Sequence, residues 1–88
     1  MKTFEELVLD ERNRQDQKWG VQRHNFPLWA TILTEECGEV AKASLEYYFV
    51  NSPLKNKLWL DNLEEELVQV AAVSRAIWEH IQEIKENQ

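Results

Sequence analysis

Thr34-Glu35-Glu36-Cys37-Gly38-Glu39 lies inside a longer stretch, Pro27 to Phe49, that reads as one helix. At 3.6 residues per turn, Trp29, Ile32, Leu33, Val40, Ala43 and Tyr47 fall on a single apolar stripe, and Glu36 falls in the middle of it. Glu39 sits at the edge of the stripe and Glu35 just beyond. A bare carboxylate on the side that should face a core is costly to bury, so the pattern calls for something that neutralises it.

The second half of the chain repeats the arrangement. Trp59, Leu63, Val70, Val73, Ile77, Ile81 and Ile84 follow the alternating spacing of a packed seam, with Glu66 in the seam position between Leu63 and Val70 and Gln69 at its edge. Each helix thus carries an inward acid followed three residues later by a second oxygen donor, so one helical face can offer two ligands to one ion. Asn51-Ser52-Pro53 reads as a stop and a restart: Asn tolerates a left-handed cap, Ser suits an N-cap, and Pro fits a first helical turn. A hairpin turning there pairs residues whose numbers sum to about 103, which sets Glu36 opposite Leu67 and Glu39 opposite Glu64. The expectation is that the four donors converge.

With 88 residues the chain is a single domain, long enough for three helices and short of a generous core when alone. Association into a homodimer or homotetramer is the expected remedy. Hydrophobic residues make up 43% and charged residues 30%, with no apolar run long enough to span a membrane. The opening Met1-Lys2-Thr3-Phe4-Glu5-Glu6 lacks the apolar core of a signal peptide, so a cytoplasmic location is expected. Sixteen acids against ten bases leave a net charge of −6, which argues against duplex nucleic acid as a partner, since a basic face would be needed to displace counterions. An acidic site can still take a phosphate ligand when a divalent cation supplies the positive charge. Cys37 has no second cysteine and reads as a small packing residue.

Thr3 and Glu6 form a capping-box pattern, and Phe4, Leu7 and Val8 begin a first amphipathic helix running to about Lys18. The polar run from Glu11 to Lys18 reads as a solvated helix end, with one or two of its residues as candidates to reach a charged ligand. Trp19 to Phe26 is a loop closed by Pro27, and its Trp19, Gln22 and His24 offer a ring for stacking and several hydrogen-bonding groups, as reading a nucleobase requires. The plainer alternative is that Trp19 packs over the bundle end while His24 caps a backbone group. The last helix is expected to be irregular near Asp61-Asn62 and frayed from Gln82. Tyr47, Tyr48 and Phe49 are expected to plug the hairpin end, and Trp78 to continue the core seam.

Hard oxygen donors without a convergent histidine or thiolate favour magnesium, with manganese or calcium as related choices, over zinc or copper. Glu39 and Gln69 stand where a ferritin-type di-iron bundle would need histidines. The residues therefore point to a magnesium-carrying helical site for a polyphosphate, with Glu35 or Glu39 as the base that orients or deprotonates a water. Lys42 and Arg75 are near enough in the helical register to bind phosphate, although such residues are more often surface charges.

Glu35-Glu36-x-x-Glu39 followed by Glu66-x-x-Gln69 resembles the EExxE…ExxD signature of the MazG-like all-α nucleoside triphosphate pyrophosphohydrolases. The stretch Glu11-Arg12-x-Arg14-Gln15-Asp16-x-Lys18-Trp19-Gly20-x-Gln22-x-His24 is similar to a short branch of that family, and the likeness covers almost the whole chain. The resemblance implies a magnesium-dependent hydrolase that turns a nucleoside triphosphate into the monophosphate and pyrophosphate. It implies Glu36, Glu39 and Glu66 as metal ligands and Glu35 as the adjacent acid. The family's last acid is replaced by Gln69, which offers an amide oxygen but no charge and cannot act as a base.

The expected fold is all-α: three helices with a central antiparallel hairpin, associating into a four-helix-bundle-type dimer or dimer of dimers. Two other readings compete with the enzyme. Inward acids can set register or partner choice, as polar seam residues do in coiled coils, and the chain can be a non-catalytic nucleotide-binding or interaction module.

Overall fold

The computed structural model describes residues 1–50 and 53–88, with the backbone alone over 53–56. It is all-helical, with three helices in the order α1 (Phe4–Trp19), α2 (Phe26–Phe49) and α3 (Pro53–Glu86), and no strand occurs among the described residues. Local chemistry sets the ends. The Thr3 hydroxyl accepts from the Glu6 backbone N–H at 3.2 Å while the Glu6 carboxylate accepts from the Thr3 N–H at 3.0 Å, closing the capping box on α1. Gly20 ends that helix with φ 75°, a left-handed value that favours glycine. Asn25 caps α2 by accepting from the Leu28 N–H at 2.8 Å, with Pro27 in the first turn. The expected stop at Asn51-Ser52 lies outside the described residues.

α3 is the spine. α1 and α2 each pack along it, while the backbones of α1 and α2 come no closer to each other than 8 Å among the described residues. The antiparallel pairing of α2 with α3 is marked by the Trp29 indole N–H, which donates to His80 Nδ1 at 2.9 Å. The core is thin: Val8, Trp29, Ala43, Ala72, Val73 and Ala76 are its buried apolar members. Small side chains at 72 and 76 let the helices approach closely on a face of α3 that the seam reading passed over.

Several expectations are corrected. α3 runs without a break through Asp61-Asn62 and stays helical to Glu86. Tyr48 and Phe49, at 78% and 73% exposure, stack edge to face on each other in the open rather than plugging the hairpin. Tyr47, Trp78 and Ile84 also face outward. Glu11 and Arg12, read as part of a solvated run, are buried. The molecule extends 54 × 30 × 20 Å with a radius of gyration of 15.3 Å, against about 12 Å for a compact chain of this length. Its accessible surface, 6596 Å², exceeds the roughly 5,400 Å² expected for the mass. No helix is long and apolar enough to cross a membrane among the described residues.

Candidate functional site

The hairpin sets the two acid motifs within electrostatic reach of each other. Glu36 is half-buried, and its pKa is raised first by desolvation and then by the charges of Glu66, Glu39, Glu11 and Glu35. Glu66 is raised by desolvation and then by Glu39 and Glu65, with Lys42 pulling the other way. Lys42 is thus within electrostatic reach of Glu66. Glu35 and Glu39 are exposed and Gln69 is half-buried.

A cavity of about 210 Å³ is lined by Glu36 of α2 and Gln69 of α3 together with Arg12, Gln15 and Trp19 of α1, Gln22 of the loop after it, and Trp29. α1 and the loop after it thus carry Trp19 and Gln22 to the same space that Glu36 and Gln69 line, while Glu66 lines a separate groove. Trp19 is half exposed, with the Lys18 ammonium 4.7 Å and the Arg14 guanidinium 5.6 Å from its ring. His24 does not line this cavity; it packs edge-on against Trp29, which does, with ring centroids 4.7 Å apart. Arg75 donates to Glu79 at 3.2 Å and belongs to a chain of charges rather than to the acid cluster.

That chain leads to residues the sequence reading missed. Arg12, only 6% exposed, donates to Glu79 at 2.6 Å and to Asp16 at 3.1 and 3.3 Å, and its Nε–H is buried with no partner among the described residues. Its pKa is raised against the pull of desolvation, first by the hydrogen bond to Glu79. Glu11, 9% exposed, accepts from Arg14 at 2.8 and 2.7 Å and from Gln15 at 3.1 Å. Its pKa is lowered against the pull of desolvation, chiefly by the hydrogen bonds from Arg14. Val8, Glu11, Arg12, Gln15 and Trp19 recur at helical spacing, the signal by which this face could have been found.

The donor chemistry fits a hard divalent cation: carboxylates that raise one another's pKa form a region of unneutralised negative potential. As the side chains stand, no three His, Cys, Asp or Glu among the described residues converge on a single point close enough to hold a metal ion. In comparisons with known proteins, no family model, no curated protein and no solved structure matches the chain.

Proposed function

We propose that this chain is a magnesium-dependent nucleoside triphosphate pyrophosphohydrolase of the MazG-like kind, acting in the cytoplasm as a homodimer or homotetramer. The observation that carries the reading is the shared wall: Glu36 and Gln69, from the two acid motifs, line the same cavity as Trp19 and Gln22. A nucleoside seated against Trp19 and Gln22 would present its phosphates to Glu36, Glu39 and Glu66.

Those three carboxylates, with the amide oxygen of Gln69, would hold Mg²⁺ or Mn²⁺. The ion would neutralise charge on the phosphates as the transition state forms. Glu39 or Glu35, both exposed beside the cluster, would orient a water and take its proton. The water oxygen attacks the α-phosphorus, the bond from that phosphorus to the bridging oxygen breaks, and pyrophosphate leaves. Lys42, beside Glu66, would meet a phosphate oxygen, and Arg75 would do so on release from Glu79.

The exposed apolar surface supports association. Leu60, Leu67 and Trp78 lie on one stripe of α3, and Leu45 and Tyr48 on one stripe of α2, all substantially exposed. Two hairpins meeting along these stripes make a four-helix bundle.

The test is incubation of purified protein with each common ribo- and deoxyribonucleoside triphosphate plus magnesium, with detection of pyrophosphate. Product that disappears in Glu36→Ala supports the enzyme. Nucleotide binding without product from any of them supports the second reading, a non-catalytic nucleotide-binding module, which the lack of a charge at Gln69 favours.

A further inference from the structure

Trp29 belongs both to the cavity wall and to the joint between α2 and α3. Its ring lines the cavity, and its indole N–H donates to His80 Nδ1 at 2.9 Å. An indole N–H can only donate, so this bond exists only while Nδ1 carries no proton. Glu83 stands three residues further along α3, within reach of His80 on the same helix face. Arg23 fixes Glu83 through a single oxygen: its Nε and Nη2 both donate to Oε2, at 2.9 and 2.6 Å, which leaves Oε1 free of Arg23. We propose that His80 is an acid-sensitive latch on the cavity: on taking a proton at Nδ1 it exchanges Trp29 for the free oxygen of Glu83, and the cavity loses the fixed wall that Trp29 gives it.

Trp29 is buried, so an indole donor left there without an acceptor is costly and water does not readily replace the lost partner. The ring has to shift, and the empty space beside it is the cavity that it lines. The charges around His80 favour the exchange. The loop before α2 brings Arg23, bonded to Glu83, and His24, edge-on to Trp29. α2 brings Trp29 and Phe26, whose ring lies 5.6 Å from that of His80, and neither takes a proton. On α3, Glu79 is held by Arg12 and Arg75, which leaves Glu83 as the acid able to receive an imidazolium. α1 reaches this end of α3 through Arg12, to which its Asp16 is bonded. The pKa of Glu83 is lowered first by the hydrogen bond from Arg23 and, in smaller part, by the charge of His80, so Glu83 stays ionised while an imidazole titrates. Acidification then weakens the cavity's hold on any ligand, and this stands whether or not that ligand is a nucleotide.

The experiment is nuclear magnetic resonance of the protein alone from about pH 8 to about pH 5, the interval over which imidazoles titrate. It follows the Trp29 indole N–H, the His80 ring, and the methyl groups of Ile32 and Val73, which line the cavity. All of these signals should move with one midpoint. His80→Gln keeps an acceptor but cannot titrate, so it should abolish the midpoint at Trp29, while His24→Phe should leave it in place. Glu83→Gln should lower the midpoint by about half a pH unit, as the loss of an exposed charged partner implies. A Trp29 midpoint that survives in His80→Gln would assign the titration to another group, Glu36 included, and overturn the latch. Should His80→Gln not fold, as judged by circular dichroism, the wild type decides: a His80 ring midpoint different from that of the indole overturns the latch. An indole that moves while Ile32 and Val73 stay fixed would overturn its link to the cavity. An unchanged midpoint in Glu83→Gln would overturn Glu83 as the second partner, and an indole signal constant across the range would overturn the whole proposal.

Discussion

The Trp29 indole donates to His80 Nδ1 at 2.9 Å, joining α2 to α3 at the end of the hairpin far from its turn. Trp29 is 3% exposed, and His24 and Phe26 pack around the pair. The bond requires His80 to keep Nδ1 free of a proton. Trp29→Phe removes the donor and leaves that nitrogen without its partner, so it should destabilise the fold by about 1–3 kcal/mol in urea unfolding. A loss within error would mean that the contact contributes packing alone.

Arg12 anchors α1 to α3 through Glu79. Arg12→Ala should cost about 2–3 kcal/mol, less than a fully buried pair because Asp16 and Glu79 are partly exposed. Arg12→Lys should recover only part of this, since an ammonium cannot serve Asp16 through two nitrogens and Glu79 at once. Chemical denaturation of the three proteins decides it.

Metal-free stability should fall as pH rises from the ordinary glutamate value of 4.5 toward neutrality, as far as Glu36 and Glu66 govern it. Their folded-state pKa values are raised, so the folded protein binds more protons than the unfolded chain across that window, and stability declines with pH. Glu11 acts with the opposite sign: its lowered pKa contributes stability above 4.5 that is lost as pH drops through its folded value. Glu36→Gln should therefore raise the melting temperature by several degrees at pH 7.5 in chelator and give no gain near pH 4.5. A gain equal at both pH values would show that charge is not the cause.

Millimolar Mg²⁺ should raise the melting temperature of the wild type by mass action, with about 2.7 kcal/mol available at a hundredfold excess over Kd. The same addition should do much less for Glu36→Gln. Equal shifts in both proteins would place the ion elsewhere.

Trp78→Glu or Leu67→Glu, each a charge on the exposed stripe of α3, should dissociate the proposed assembly while preserving monomer helicity. Sedimentation velocity across a range of concentrations checks this. Sedimentation of the wild type as a monomer at high concentration would remove the bundle.

The three helices were legible from capping chemistry and apolar period: Thr3 with Glu6, Pro27 at the start of α2, and the seam from Leu63 to Ile81, while the cap at Asn25 emerged only in the structure. Glu36 and Glu66 were legible as polar interruptions of apolar stripes. Glu11 and Arg12 were not, because their burial depends on cancellation of charge: Arg14 and Gln15 on one side and Asp16 and Glu79 on the other. A polar run without a visible partner reads as solvated, and Glu79 is distant in sequence. Trp78, Tyr48 and Phe49 misled in the opposite sense, since an apolar period predicts which faces seek cover and not whether one chain supplies it.

Because α1 and α2 each lean on α3 without their backbones meeting, the space between them behaves like the jaw of a vice with a single fixed rail. A small tilt of the first helix about its Arg12–Glu79 anchor would open or narrow the gap while the hairpin keeps its shape. The width of that space would then reside in the seating of one short helix, and sequence changes on its α3-facing side would retune it without touching the acids.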